Sequence, residues 1–137
     1  MTEKTIKILG KDVDMIYCNA TEDGFEEISP RPISVFVPTV TKDEKGEETI
    51  IPAQANISDY VRLAFASIVA ASTKKGEKQP PINGDDIMYN ISPVERNVLI
   101  EAIVEIRNEW YEIPKIVEEQ LKKEAEEQPA DDQQKNA

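Results

Sequence analysis

Thr5-Ile6-Lys7-Ile8-Leu9-Gly10-Lys11-Asp12-Val13-Asp14-Met15-Ile16-Tyr17-Cys18 is the stretch that decides the fold class. On both sides of Leu9-Gly10-Lys11-Asp12, apolar and polar residues alternate in part, the period of a strand. The four residues between supply turn chemistry, so the stretch predicts a β-hairpin. Asn19-Ala20-Thr21-Glu22-Asp23 follows as a helix start, with Thr21 as N-cap and acids in the first turn. Phe25 and Ile28 are the apolar contacts of that short helix, and Ser29-Pro30-Arg31-Pro32 ends it. Gly24 inside it costs about 1 kcal/mol relative to Ala, so packing must hold it.

Ile33-Ser34-Val35-Phe36-Val37 is rich in β-formers and bounded by Pro32 and Pro38, which predicts an edge strand. Lys42-Asp43-Glu44-Lys45-Gly46-Glu47-Glu48 reads as a charged turn, with Thr49-Ile50-Ile51 returning as a paired strand. Residues 31–55 therefore form an extended hairpin arm. The remainder is helical in pattern. Asn56 or Ser58 caps a helix to about Ser72, with Ile57, Val61, Ala64, Phe65, Ile68 and Val69 on one face. A polar loop with Gly76, Pro80 and Pro81 leads to Asn83-Gly84-Asp85-Asp86, which opens a short helical turn carrying Ile87, Met88 and Tyr89.

Ser92-Pro93-Val94-Glu95 is a capping box with proline in the first helical position. The helix it opens carries Val94, Val98, Leu99, Ala102, Ile103, Ile106 and Trp110 at spacings of three and four. Ile100 and Val104 widen that stripe beyond the need of a one-sided surface helix. Pro114 starts a last helix with Ile116, Val117 and Leu121. The expected architecture is α+β: an N-terminal β-hairpin, a short helix, the arm, then a bundle of three to four helices. It forms one domain over residues 1–121. Residues 122–137 lack large side chains and cannot offset their ordering entropy, so they read as a disordered acidic tail.

The chain has 137 residues, 16 Lys+Arg against 27 Asp+Glu, one cysteine and no histidine. Its net charge of −11 argues against nucleic acid as a partner. Residues 118–137 hold seven acids and three bases, so most of the negative charge lies on the body. Absence of histidine removes Ser-His and Cys-His catalysis and the common zinc sites. Cys18 has no partner for an intramolecular disulfide. The N-terminus lacks a signal-peptide core, and the longest apolar run, Leu63 to Ala71, is interrupted by Ser67 and too short for a membrane span. The Asn-x-Ser/Thr triplets at Asn19, Asn56 and Asn90 read as chance or as helix caps, and the expected location is cytoplasmic.

No chemistry converges in the sequence. The five glycines are scattered singly, which gives no phosphate-cradling loop. Asp85-Asp86 reads as helix N-terminal charge, and the acids of residues 43–48 as a solvated turn; neither has calcium-loop spacing. Cys18 lacks a histidine base and reads as a small core thiol. Ser72-Thr73-Lys74-Lys75 has no supporting catalytic motif, and Lys74, Lys75 and Lys78 are too few to overcome the negative body. Trp110 continues the core stripe, with Tyr111 partly exposed beside it. No catalytic, cofactor-binding or metal-binding residue is expected.

The order of features is similar to a known family. A hairpin with a Gly turn runs into Ala20-Thr21-Glu22-x-x-Phe25-Glu26-x-Ile28. An alanine-rich helix (Leu63-Ala64-Phe65-Ala66), a polar loop, Asp85-Asp86-Ile87-Met88 and a helix ending in Trp110-Tyr111-x-Ile113-Pro114 complete the series. Over about residues 4–120 this resembles the tail assembly chaperone family of long-tailed phages, in the form carried by Bacteroidales prophages. The resemblance implies a non-enzymatic protein of the bacterial host cytoplasm that binds apolar helices of a tape measure protein, with homo-oligomers as a further expectation. Leu63, Ile68, Ile100, Val104, Trp110 and Tyr111 are the residues expected to face that partner. The alternative is a small structural or adaptor protein of a phage particle, or a cytosolic interaction domain.

Overall fold

The computed structural model describes residues 2–112 of the chain. The expected last helix at Pro114 and the tail 122–137 lie outside these residues. The fold is α+β. β1 (Thr2–Ile8) and β2 (Lys11–Tyr17) pair antiparallel, with Ile8 opposite Lys11 and Thr2 opposite Tyr17. Only Leu9 and Gly10 separate the strands, and both have positive φ, at 52° and 75°. Two successive left-handed residues make the tight turn whose twist matches that of paired strands, and glycine takes the second without steric cost.

The alternation buries Ile6, Ile8, Val13, Met15 and Tyr17 on one face of the hairpin. Two strands cannot shelter that face, so helices must. α1 (Asn19–Ile28) follows the hairpin, α2 (Ile57–Lys74) packs on α1 and β2, and α3 (Pro93–Trp110) packs on α2 and β1. Leu63, Ile68, Leu99, Ile103 and Ile106 meet the hairpin face in one core.

Ser92 and Glu95 exchange backbone and side-chain hydrogen bonds at 3.2 and 3.3 Å, as the capping box requires. Glu95 does more than cap. Its second oxygen accepts the Leu9 N–H at 2.6 Å, tying the hairpin turn to the start of α3. These backbone donors hold the Glu95 carboxyl below the usual range, the Leu9 bond foremost. At the other end Thr2 Oγ1 donates to the Ile106 carbonyl at 2.8 Å, so α3 runs antiparallel to β1.

Three local readings are corrected. The helix α1 starts at Asn19 after Cys18, two residues before the expected cap. Thr21 instead sits buried in the first turn, where its hydroxyl accepts the Cys18 N–H at 3.2 Å and donates to the Ile16 carbonyl at 2.8 Å. Residues expected as an edge strand form a 3-10 helix, Ile33–Phe36. Adjacent Val35 and Phe36 are both buried, which an alternating strand with one wet face cannot achieve. On α3, Leu99, Ala102, Ile103 and Ile106 are buried as expected, but Val94 is 72% and Val98 36% exposed. These two stand one turn apart on the flank of the stripe opposite Ile100 and Val104.

The arm is present. β3 (Thr39–Lys42) and β4 (Glu48–Ile51) pair antiparallel, with Val40 opposite Ile50 and Lys42 opposite Glu48. Its base is pinned to α2. The Arg31 guanidinium lies 3.1 Å from Asp59 and donates to the Gln54 carbonyl at 2.7 Å. Asp59 is fully buried and also caps α2 reciprocally with Asn56, at 2.9 Å in both directions. A buried carboxylate needs such partners, because an isolated charge away from water is costly.

These burial patterns separate the helix residues that hold the fold from those that do not. Leu63→Ala is expected to cost about 3 kcal/mol, the range of a fully buried leucine. Val94→Ala should stay within about 0.5 kcal/mol. Urea denaturation of both variants checks the assignment, and equal losses would contradict it.

Candidate docking surface

The six residues expected to face a partner do not form one surface. Leu63 and Ile68 are fully buried in the core, which corrects their placement. α2 is covered by α1, β2 and α3, so buried residues occupy most of its circumference. The bulky residues Val61, Phe65 and Val69 are only half-buried, whereas small Ala66, Ser67, Ala70 and Ala71 are buried. Small side chains let neighbouring backbones approach. Gly24 of α1 backs onto Ala66, where an added Cβ would lie 3.6 Å from the alanine Cβ.

Ile100, Val104 and Trp110 are half-buried, and Tyr111 is 46% exposed. The aromatic end of α3 is fastened to the body. Tyr17 donates its hydroxyl to Glu22 at 2.7 Å, and Tyr111 donates to the same carboxylate oxygen. The Tyr17 ring lies 6.3 Å from both Trp110 and Tyr111. The Arg107 guanidinium stands 4.9 Å from the Tyr111 ring and 5.7 Å from that of Phe36. Burial, and then the bond to Glu22, push the Tyr17 hydroxyl far above its ordinary pKa and raise that of Tyr111 in the same order. This cluster closes the fold; it does not offer a free docking side chain.

Several acidic groups have structural partners. Asp43 Oδ1 accepts the amides of Lys45 and Glu47 at 2.9 Å each, building the turn of the arm. Asp86 and Asn83 cap each other across the start of a π-helical turn, Asp86–Asn90. Lys75 pairs with Asp14, and Lys74 with Glu3 at 3.5 Å. Cys18 is half-buried against Ile16, Ala70 and Ala71. Among the described residues, no group of three or more His, Cys, Asp or Glu side chains could hold a metal ion, and no helix is long and apolar enough to cross a membrane.

What remains apolar and open lies elsewhere. Met88 and Tyr89, adjacent in the π-helical turn, are 70% and 79% exposed, and Val94 and Val98 follow within ten residues. Short helical turns displace neighbouring side chains, so Ile87 packs inward while Met88 and Tyr89 turn to solvent. A second open region surrounds the base of the arm. Ile28, Val37 and Ile57 each lie within one turn or one residue of the edge-on trio Phe25, Phe36 and Tyr60. Beyond them every residue of both arm strands is exposed, Val40 and Ile50 included. Beside the π-helical turn lies a shallow groove of about 560 Å³, with Phe65, Val69, Pro80 and Pro81 as its apolar lining and Lys11 and Asp86 as its charges.

Sequence reasoning missed these residues for a definable reason. Met88-Tyr89 are consecutive large side chains in a segment too short to bury both, and that was the available signal. No protein-family model, curated protein or solved structure matches the chain.

The tyrosine cluster sets a pH dependence. A hydroxyl whose folded pKa is raised stays protonated in the fold, while the unfolded chain ionises near the ordinary 10.0. Its contribution is complete below that value and is lost as pH climbs above it. Urea melts should therefore show a steady midpoint to about pH 9 and a fall beyond about pH 10. Tyr17→Phe should shrink that fall, and an unchanged slope would contradict the assignment.

Proposed function

We propose that this chain is a non-enzymatic protein-binding module of the phage tail assembly chaperone type, working in the cytoplasm of a bacterial host. Its partner is an apolar helical segment, such as a long tape-measure-like protein exposes before assembly. The observation that carries the reading is the exposure of four large apolar side chains, Met88, Tyr89, Val94 and Val98, in one short segment of a chain of net charge −11. Large apolar side chains gathered on a charged surface mark a place where another protein is held. Methionine and tyrosine suit that task, because one adapts its shape and the other offers rigid area with a polar end. The acidic remainder keeps an otherwise insoluble complex in solution. The order of sequence features, from the hairpin to Trp110-Tyr111-x-Ile113-Pro114, resembles the same family.

The test is co-expression with a tape-measure helical segment that aggregates alone. Wild-type chain should hold the segment soluble and co-elute with it. Met88→Ser with Tyr89→Ser should weaken binding by about tenfold or more, the loss of roughly 1.4 kcal/mol expected from truncating central contacts. Circular dichroism of the variant should stay native, since neither residue is buried. A segment that aggregates regardless, or binds the variant equally, would overturn the proposal.

A further inference from the structure

The geometry points to a second role for the arm: we infer that residues 39–51 dock in the groove of a second copy of this chain, between α2 and the Gln79–Asn83 segment. Four observations carry this. First, the arm is unsupported. Its strands pair with each other, make no extended contact with the body, and expose every side chain. An isolated two-stranded hairpin is marginal in water and leaves both edges unpaired, which neither the arm turn nor its flanking prolines removes.

Second, its base is fixed. Arg31, held by buried Asp59 and by the Gln54 carbonyl, roots the arm at the first turn of α2. No arm residue lines the groove of its own chain. Third, one face of the arm has the complement of that groove. Val40 and Ile50, 57% and 58% exposed, sit side by side, and Lys42 and Glu48 pair beyond them at 3.7 Å. The groove has Phe65, Val69 and the two prolines for the apolar pair, with Lys11 and Asp86 at its rim for Glu48 and Lys42. Asp86 is available as an anion there: Asn83 and then Asn90 donate to its carboxylate and hold its pKa low.

Fourth, charge selects the partner and the contact. Two copies at −11 each repel, so self-association must use locally neutral surfaces. The turn of the arm is acidic, with Asp43, Glu44 and Glu47 against Lys45, so the contact is confined to the strand face, where Lys42 and Glu48 meet Lys11 and Asp86 of the groove. Each copy supplies one arm and one groove at different places, so exchange closes as a two-fold pair or continues head to tail as a ring. This inference stands without the client reading, because it concerns the chain alone.

The experiment uses the full chain with Cys18→Ser, carrying either Val40→Cys on the arm or Gln79→Cys beside the groove. Circular dichroism confirms that each variant is folded. The two are mixed and treated with a short bis-maleimide, and products are separated by size and mass. The expected predominant product joins Val40→Cys of one copy to Gln79→Cys of another. Ile50→Asp added to the Val40→Cys chain should abolish that product, and Val40→Asp with Ile50→Asp, which leave the core untouched, should abolish any dimer in sedimentation velocity. Arm-to-arm products alone, or a monomer without cross-links at every concentration, overturns the inference. So does cross-linking that survives Ile50→Asp, or a dimer that survives the paired aspartates.

Discussion

A two-stranded hairpin that turns Ile6, Ile8, Val13, Met15 and Tyr17 to one side cannot exist alone, and the covering of that face governs everything else. α2 and α3 supply the cover. α3 is laid along β1 by hydrogen bonds at both ends, Leu9 N–H to Glu95 near the turn and Thr2 to Ile106 at the open end. Between them, Leu99, Ile103 and Ile106 fall on the hairpin by helical periodicity. The carboxylate of Glu95 thus joins local and tertiary order: the same side chain that starts the helix sets its position on the sheet.

Filling the core this way determines what is left over. Because α2 is hemmed in on several sides, its Leu63 and Ile68 are spent on stability and are no use for a partner. Among the described residues, most exposed apolar side chains lie where the chain leaves the hairpin–helix stack: in the π-helical turn with the start of α3, and at the arm and its base. Buried Asp59 marks the boundary at the arm, since it both caps α2 and anchors Arg31. Among the described residues the protein accordingly has a self-sufficient core and two main regions of exposed apolar groups.

Much of this was legible in the sequence. The hairpin and the Ser92–Glu95 capping box each follow from residue chemistry at fixed spacing, and the structure has both; an arm is there too, but its first strand is Thr39–Lys42 where residues 33–37 were expected. The site was less legible. Burial of adjacent Val35 and Phe36 depends on Phe25 and Tyr60 from other elements, so β-propensity alone misreads that segment. On α2, bulk was a poor guide, since close helix packing selected Ala66, Ser67 and Ala70 for the deep face and left Phe65 half outside. Tyr111 looked free because its tether, Glu22, is distant along the chain. In each case the deciding neighbour is far away in sequence.

Amide hydrogen exchange on the dilute chain tests the central claim, a self-sufficient core with an independent arm. Amides of β1, β2, α2 and α3 should be protected to nearly the free energy of global unfolding, while those of β3 and β4 should exchange orders of magnitude faster. An arm as protected as the hairpin β1–β2 at concentrations where the chain is monomeric would contradict it, because the arm would then belong to the core.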